Sequence, residues 1–239
     1  MKDLSILDYK IYAHRGVHEK ELENSYEAFK IAIDRSLPIE LDVRLTKDKK
    51  VIVYHDKSLK RLFEINEKIR DLKYKKIIKL TDNKVSRLEE ILNLINGEVP
   101  VIIEVKKSTK DYKLEKELVK ILDKYDGVFA VKSFNRKTML WFKRNREDYV
   151  RGLLVHNNIK TIFDRYRLYR TIKKVDPDFL SVSHRLLNHR YIQRYRRRMK
   201  VLAYTIKDKE TFDKYKNLSD GLICENIDEI GCDYYSRLL

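Results

Sequence analysis

Two carboxylate residues alternate with apolar residues in the segment Ile39-Glu40-Leu41-Asp42-Val43. On a β-strand this spacing places Glu40 and Asp42 on one face and the three apolar side chains on the other. Two neighbouring acids repel each other, so the pair needs a positive charge close by. A divalent cation that prefers oxygen ligands, Mg²⁺, Ca²⁺ or Mn²⁺, meets this need. The alternation therefore predicts a metal site on the polar face of this strand.

Two histidines stand at the ends of apolar runs on either side of this segment. His14 follows residues 10–13, and His55 follows residues 51–54. An unperturbed histidine titrates near pH 6.5, so either ring can give or accept a proton at neutral pH. Two histidines beside a metal suit acid–base chemistry on a phosphate ester, where one activates the attacking group and the other protonates the leaving alkoxide. The residues leave open which histidine is the acid.

These residues belong to an ordered series of short motifs, most of them at or near the end of a predicted strand. The series consists of His14-Arg15-Gly16, Glu23-Asn24 leading into Ala28-Phe29, Ile39 to Val43, Thr46, His55-Asp56 and Glu104-Val105-Lys106. It resembles the glycerophosphodiester phosphodiesterase family. The resemblance is strong over residues 11–56 and 86–106 and general elsewhere. It implies a phosphoric diester hydrolase that converts a glycerophosphodiester to sn-glycerol 3-phosphate and an alcohol.

The resemblance also implies one divalent cation, Mg²⁺ or Ca²⁺ with Mn²⁺ as an alternative. Glu40, Asp42 and Glu104 would supply its oxygen ligands. The competing interpretation is that these carboxylates only form buried salt bridges with Arg15, Arg44 or Lys106. The family binds its metal with acids at these motif positions, which favours the metal site.

His14 and His55 form the catalytic pair that the resemblance implies. Arg15 is suited to hold a phosphate oxygen through its planar guanidinium, and Lys106 offers a second positive charge to the same anion. Both cations would also stabilise charge that develops in the transition state. Lys106 could instead pair only with nearby acids. Attack by water and attack by a substrate hydroxyl through a cyclic phosphate both stay open.

A further set of residues consists of candidates for substrate contact or for support of the site. The set is Glu23, Asn24, Phe134, His156, His184, Tyr204 and Glu225. We expect Glu23 and Asn24 to cap the first helix and orient the site. His156 and His184 follow predicted strands, where each either contacts the substrate or is simply a loop histidine. Tyr204 offers an aromatic wall for the glycerol moiety.

Strand and helix patterns alternate along the chain, and eight such units remain when residues 51–54 are treated as an extra hairpin strand. The predicted strands span 10–13, 38–45, 99–105, 128–133, 150–155, 179–183, 201–206 and 221–225. Eight units in 239 residues predict a single-domain (β/α)₈ TIM barrel over residues 1–239. A doubly wound sheet is the alternative, but the glycine-rich turn typical of that fold is missing from the sequence. Catalytic residues of such barrels lie at the C-terminal ends of the strands.

Three local features accompany this pattern. Residues 57–84 form an irregular insertion after the second strand, which either covers the active site or packs as a surface excursion. Ser86, with Glu89 three residues later, is the predicted N-cap of the following helix. The closing helix is predicted over residues 227–237.

The formal net charge is +16, which is compatible with nucleic acid, an anionic membrane or an acidic substrate as a partner. The basic run from Arg194 to Lys200 is either an exposed helix end or a patch for phospholipid head groups. No RNA-binding signature accompanies it, so nucleic acid is not expected. The two cysteines form no disulfide framework. Without a signal peptide or transmembrane segment, the expected location is the cytoplasm.

Two rival functions remain. The first is the same chemistry on a lysophospholipid or sphingolipid, as in lysophospholipase D and sphingomyelinase D. An exposed apolar rim around residues 57–84, or membrane attachment through Arg194 to Lys200, would favour it. The second is a non-catalytic anion- or RNA-binding barrel, whose affinity would fall steeply with salt. The head group of the substrate and the oligomeric state are not predicted.

Overall fold

The computed structural model describes residues 2–106 and 111–231. Eight parallel strands close into a barrel, because β1 pairs with both β2 and β9. This confirms the predicted (β/α)₈ fold. The strands in the described ranges are β1 (Ile11–His14), β2 (Ile39–Leu45), β3 (Val51–Val53), β4 (Val101–Val105), β5 (Phe129–Ser133), β6 (Val150–Val155), β7 (Phe179–Ser183), β8 (Lys200–Ile206) and β9 (Gly221–Cys224). The extra strand β3 pairs antiparallel with β2 as a hairpin, as the sequence predicts.

Helices connect the parallel strands and surround the barrel. Those in the described part of the chain are α1 (Tyr26–Asp34), α2 (Lys60–Phe63), α3 (Tyr74–Leu80), α4 (Leu88–Ile95), α5 (Lys113–Leu122), α6 (Arg136–Asn145), α7 (Ile162–Val175), α8 (Arg190–Arg196), α9 (Lys209–Tyr215) and α10 (Ile227–Ile230). None of them combines the length and hydrophobicity that a bilayer span requires. The predicted closing helix is described only as far as α10, and Cys232 also lies outside the described residues.

The predicted start of the fourth helix is wrong. Ser86 is not its N-cap, because α4 begins at Leu88 and Arg87 occupies the capping position. The carboxylate of Glu90 accepts the backbone N–H of Arg87 at 2.8 Å, which satisfies a donor that the helix itself cannot pair. The pairing that starts the helix therefore lies one residue later than the Ser86–Glu89 pair.

Alternation along the strands divides the barrel interior into an apolar base and a polar mouth. Residues two apart on a strand share a face, and on β1, β4, β5, β7 and β8 an inward apolar residue near the base is followed by an inward polar residue near the C-terminal end. These pairs are Tyr12 and His14, Ile102 and Glu104, Ala130 and Lys132, Phe179 and Ser181, and Leu202 and Tyr204; the apolar members form one buried cluster. The polar members consequently gather at one end of the barrel.

The N-terminal segment closes the base of the barrel. Ile6 and Leu7 belong to the same buried cluster as Tyr12, whose hydroxyl donates to the Ile6 carbonyl at 2.6 Å. Gly152 leaves room for the Phe179 ring, since a Cβ at residue 152 would lie 2.2 Å from it. The base is thus packed with apolar atoms, and ligand access is left to the C-terminal mouth.

The insertion over residues 57–84 has a small core of its own. Leu59, Ile69, Leu72 and Ile77 are buried together with Ile52 of β3 and with Tyr54 and Val85. The insertion is therefore anchored on the β3 hairpin that leads to His55. Its Arg61 reaches from α2 to Glu23 and Asp56, both near the barrel mouth.

Gly16 occupies a position that only glycine fits. Its φ of +81° is left-handed, and an added Cβ would lie 2.7 Å from the Ala28 carbonyl carbon on α1. This close approach lets the chain turn sharply after His14 and bring Arg15 over the barrel mouth. Gly97 has a similar φ of +77°, but its nearest neighbour would be 3.5 Å away.

We therefore expect Gly16→Ala to destabilise the protein more than Gly97→Ala does. The Gly97 variant carries only the backbone penalty, about 1 kcal/mol, and the Gly16 variant adds a steric clash of at least another ~1 kcal/mol. Urea unfolding of both variants measures the difference. Equal losses of unfolding free energy in the two variants would contradict this, because they would show that α1 moves away from the added methyl group at no cost in free energy.

Candidate active site

Three buried carboxylates meet at the mouth of the barrel. Glu40 and Asp42 lie on β2, and Glu104 lies on β4 directly opposite Asp42 in the strand register. One oxygen of each carboxylate lies within 4.8 Å of the others. The polar face predicted for β2 is therefore continued by the neighbouring strand. Such a cluster is costly in the barrel interior unless positive charge surrounds it.

Three basic side chains supply positive charge to this triad. Lys106 Nζ lies 2.6 Å from Asp42 Oδ1 and also contacts Glu104, while Arg15 Nε lies 3.1 Å from Asp42 Oδ2. Burial opposes ionisation of Asp42, but Lys106 and Arg15 outweigh it and hold the pKa of Asp42 well below its usual range. Burial, reinforced by Asp42, raises the pKa of Glu104. The triad thus contains one firmly ionised acid and one that ionises less readily.

Lys132 is the third basic residue, and it is not among the candidates predicted from the sequence. Its Nζ lies 2.8 Å from Glu40 Oε1, and the residue is almost fully buried on β5. A lysine inside the apolar strand Phe-Ala-Val-Lys-Ser was the signal that could have revealed it, because a buried lysine requires an acidic partner.

A carboxylate outside the triad, that of Glu225, holds the imidazole ring of His14. Its Nδ1 lies 2.7 Å from Glu225 Oε1, and its Nε2 lies 3.8 Å from Glu40 Oε2. Burial alone would raise the pKa of Glu225, but His14 and Lys207 lower it to about 2. An ionised Glu225 accepts the Nδ1–H of His14 and leaves Nε2 facing the triad. Glu225 therefore orients a proposed catalytic histidine.

His55 has an equivalent partner in its neighbour Asp56. The Nδ1 of His55 lies 2.7 Å from Asp56 Oδ1, and Asp56 is itself held by Arg61 from the insertion. Burial lowers the pKa of His55 despite the opposing attraction of Asp42, so burial favours the neutral ring. Both His55 and His14 lie close enough to Asp42 that each, when protonated, lowers the pKa of that carboxyl. The two histidines thus flank the triad.

Glu23 and Asn24 do not cap the first helix. The cap is Ser25, whose Oγ accepts the Ala28 N–H at 3.2 Å. Glu23 bonds to Arg15 at 2.9 Å, and the Asn24 side-chain amide donates to Asp42 Oδ2 at 3.1 Å. The predicted cap was wrong because Ser25, one residue after Asn24, is the N-cap of α1. The side chains of Glu23 and Asn24 are therefore available to the site.

Aromatic side chains form one wall of the mouth. The rings of Phe134 and His156 stack with centroids 3.8 Å apart, and Tyr204 meets Phe134 edge-on at 5.9 Å. The Tyr204 hydroxyl donates to the Val155 carbonyl at 2.8 Å, which fixes this arrangement. His184 is placed differently, since its ring packs against Tyr215 at 5.4 Å. Three of the four aromatic candidates are therefore brought together.

The donor set fits a divalent cation. Glu40 Oε2 is buried and has no hydrogen-bond partner among residues 2–106 and 111–231. Three carboxylates in one cluster offer the oxygen ligands that Mg²⁺, Ca²⁺ and Mn²⁺ prefer. Glu40, Asp42 and Glu104 are the residues that would hold such an ion.

Comparison with known proteins assigns the family. The model of the glycerophosphoryl diester phosphodiesterase family matches residues 14–229. The chain belongs to this family. The matched range begins at His14 and includes the triad, His55 and Glu225.

Individual relatives agree with this family. Human (Homo sapiens) lysophospholipase D GDPD1 is 44% identical over 66 residues, which cover 27% of this chain and 21% of that protein. The match thus spans about a fifth of this curated relative. The glycerophosphodiester phosphodiesterase structure from Thermotoga maritima has a TM-score of 0.78 at 27% identity, covering 92% of this chain and 96% of that chain.

A second solved structure shares the fold at lower identity. A phosphodiesterase of Oleispira antarctica, in complex with the product sn-glycerol-3-phosphate, has a TM-score of 0.81 at 19% identity. The alignment covers 94% of this chain and 96% of that chain. The barrel architecture is therefore common to both chains.

Lys132→Met tests the electrostatic balance of the site. The change removes the positive partner of Glu40, and we expect the free energy of unfolding in the presence of chelator to fall by about 3–5 kcal/mol. Urea unfolding is the measurement. Lys137→Met, at an exposed position on α6, is the matched control and should change stability by less than about 0.5 kcal/mol. Similar values for both variants would contradict the proposed role of Lys132.

Proposed function

We propose that this protein is a metal-dependent phosphodiesterase that hydrolyses glycerophosphodiesters to sn-glycerol 3-phosphate and an alcohol. One observation carries the proposal: two histidines, each held through Nδ1 by its own carboxylate, flank a buried acidic triad at the barrel mouth. Family membership supports the same reaction class. A phosphodiester needs proton transfer on both sides of phosphorus, together with positive charge on its oxygens.

The two histidines are the proposed proton-transfer residues. With Nδ1–H donated to Glu225 or Asp56, the Nε2 atom of each ring is available to the substrate. One histidine removes a proton from the attacking hydroxyl, a bond to phosphorus forms, and the bond to the leaving oxygen breaks. The other histidine protonates that oxygen. Direct attack by water is consistent with this pair, and so is attack by the substrate's own glycerol hydroxyl, in which case water then opens the cyclic phosphate to give glycerol 3-phosphate.

Arg15 and Lys106 are the proposed phosphate-binding residues. Both side chains reach the mouth and already contact the triad, so each would share its positive charge between carboxylate and phosphate. Glu23 holds Arg15 in place and is itself bonded to Arg61 of the insertion, with 2.9 Å between Arg61 Nη1 and Glu23 Oε2. The insertion thereby supports the site from outside the barrel.

Glu40, Asp42 and Glu104 are the proposed cation ligands, with Mg²⁺, Ca²⁺ or Mn²⁺ as the ion. When bound, the cation supplies a Lewis acid that polarises a phosphate oxygen and offsets developing negative charge. Lys132 pairs with Oε1 of Glu40, and the Asn24 side chain donates to Asp42. These neighbours keep the carboxylates in place, as outer partners do at metal sites generally.

A lysophospholipid substrate is the second candidate. The match to human lysophospholipase D GDPD1 favours it, as does the aromatic wall formed by Phe134, His156 and Tyr204. The predicted marker of lipid activity, an exposed apolar rim around residues 57–84, is missing: in the described ranges the large exposed hydrophobics lie elsewhere. The same catalytic residues would serve both substrate classes.

Activity assays with defined substrates test this proposal. The panel contains glycerophosphocholine, glycerophosphoethanolamine, glycerophosphoinositol and lysophosphatidylcholine, each with Mg²⁺, Ca²⁺, Mn²⁺ or chelator. We expect cation-dependent release of glycerol 3-phosphate or, from the lysolipid, of lysophosphatidic acid. His14→Ala should lower kcat by about 10²–10⁴-fold because a proton-transfer group is lost. Glu40→Gln should remove the response to the cation.

His189→Ala is the matched control, since His189 is exposed on the way into α8 and should retain activity. Turnover that persists in chelator would contradict the metal requirement. Full activity of His14→Ala would contradict the assignment of the histidine. Inactivity of the wild-type protein on the whole panel would reject the phosphodiesterase proposal.

A further inference from the structure

Helix α7 presents large apolar side chains to solvent. Ile162 and Phe163 are 74% and 75% exposed, and Tyr166 and Tyr169 are at least half exposed. The opposite face of the helix packs against the barrel through Leu168, Ile172 and Val175. The exposed residues recur with helical spacing, so they form a single outward face over the first two turns.

Basic residues frame this apolar face. Five lie on α7, namely Arg165, Arg167, Arg170, Lys173 and Lys174, against the single acid Asp164. The carboxylate of Asp164 is bonded to the Thr161 N–H and hydroxyl at the helix start, at 2.9 and 2.8 Å. Arg170 lies over the Tyr166 ring at 5.9 Å. The outer face therefore combines apolar, aromatic and cationic groups.

The neighbouring helix α8 continues the positive surface. Arg165 lies over the Tyr191 ring at 5.1 Å, which joins the two helices. The predicted basic patch from Arg194 to Lys200 is only partly available, because Arg196 is bonded to Asp220 and Lys200 pairs with Asp8. The apolar component that this patch lacks is supplied by α7.

The apolar half of α7 lies on the same side of the barrel as the active site. The helix follows β6, whose last residue, Val155, accepts the Tyr204 hydroxyl. The next residue is His156, which stacks on Phe134 in the aromatic wall. Ile162 and Phe163 begin the helix after a short loop, so they stand at the rim of the barrel mouth.

We propose that the outer face of α7 binds an anionic membrane surface. Apolar and aromatic side chains framed by arginine and lysine are the composition of helices that lie in the head-group region, where each cation gains from anionic lipid. Binding in this way brings the rim of the mouth against the bilayer. A second copy of the chain is a poorer occupant, because a two-fold contact would bring the same positive residues against one another.

The proposal rests on the α7 surface and not on the catalytic chemistry, so it can fail or succeed independently of the proposed function. Sedimentation with vesicles tests it, using phosphatidylcholine alone and phosphatidylcholine mixed with phosphatidylserine. We expect binding only to the mixed vesicles, with affinity that falls as salt rises. Ile162→Ser with Phe163→Ser should lower affinity at least about tenfold, and Arg167→Gln with Arg170→Gln about fivefold per charge.

Lys75→Gln with Lys79→Gln is the matched charge control, because both lysines are exposed on α3 and far along the chain from α7. It should bind vesicles as the wild type does. Circular dichroism and thermal unfolding verify that all variants are folded. Absence of binding to mixed vesicles, or binding unchanged in both α7 variants, would overturn the proposal. A dimer that Ile162→Ser with Phe163→Ser dissociates would reassign the face to a second copy and also overturn it.

Discussion

Three carboxylates are packed side by side inside a protein barrel, and their mutual repulsion is the constraint to which the rest of the mouth responds. Glu40, Asp42 and Glu104 are buried, so water cannot screen their charges. Lys106 approaches from the residue directly after β4, Lys132 approaches from β5, and Arg15 approaches from the loop after β1. The basic side chains that stabilise these carboxylates when no metal ion is bound are also suited to bind an anionic phosphate.

The barrel separates apolar packing from the charged groups along its axis. Inward positions near the base carry apolar side chains such as Tyr12 and Phe179, which supply packing. On most strands, the inward positions two residues later carry polar groups, which supply chemistry. Because one closed sheet holds both layers, the base fixes the strands that position the charged mouth. Positioning is then strengthened by partners outside the strands, among them Glu225 behind His14 and Asp56 behind His55.

Local pattern was enough to predict the closed fold, and pattern together with the family resemblance selected most of the residues that meet at its mouth. Alternation along β2 and the strand-end histidines depend on a few neighbouring residues, which a sequence displays directly. Pairings across the closed barrel were harder: Lys132 meets Glu40, and Glu225 meets His14, only because the strands curve into a ring. Helix starts were also misplaced, since Ser25 and Arg87 compete with adjacent residues for the cap. The catalytic role of each residue cannot be read from the alternation of polar and apolar residues or from interatomic distances, because it depends on the reaction itself.

Direct titration of the protein with Mn²⁺ by isothermal calorimetry tests the central claim, that the triad is a cation site rather than a set of salt bridges. We expect one bound ion in the wild type and loss of detectable binding in Glu104→Gln. We also expect unchanged binding in Glu98→Gln, because Glu98 is exposed in the connection between α4 and β4. Binding of equal strength in the Glu104 variant, or no binding in the wild type, would contradict the claim.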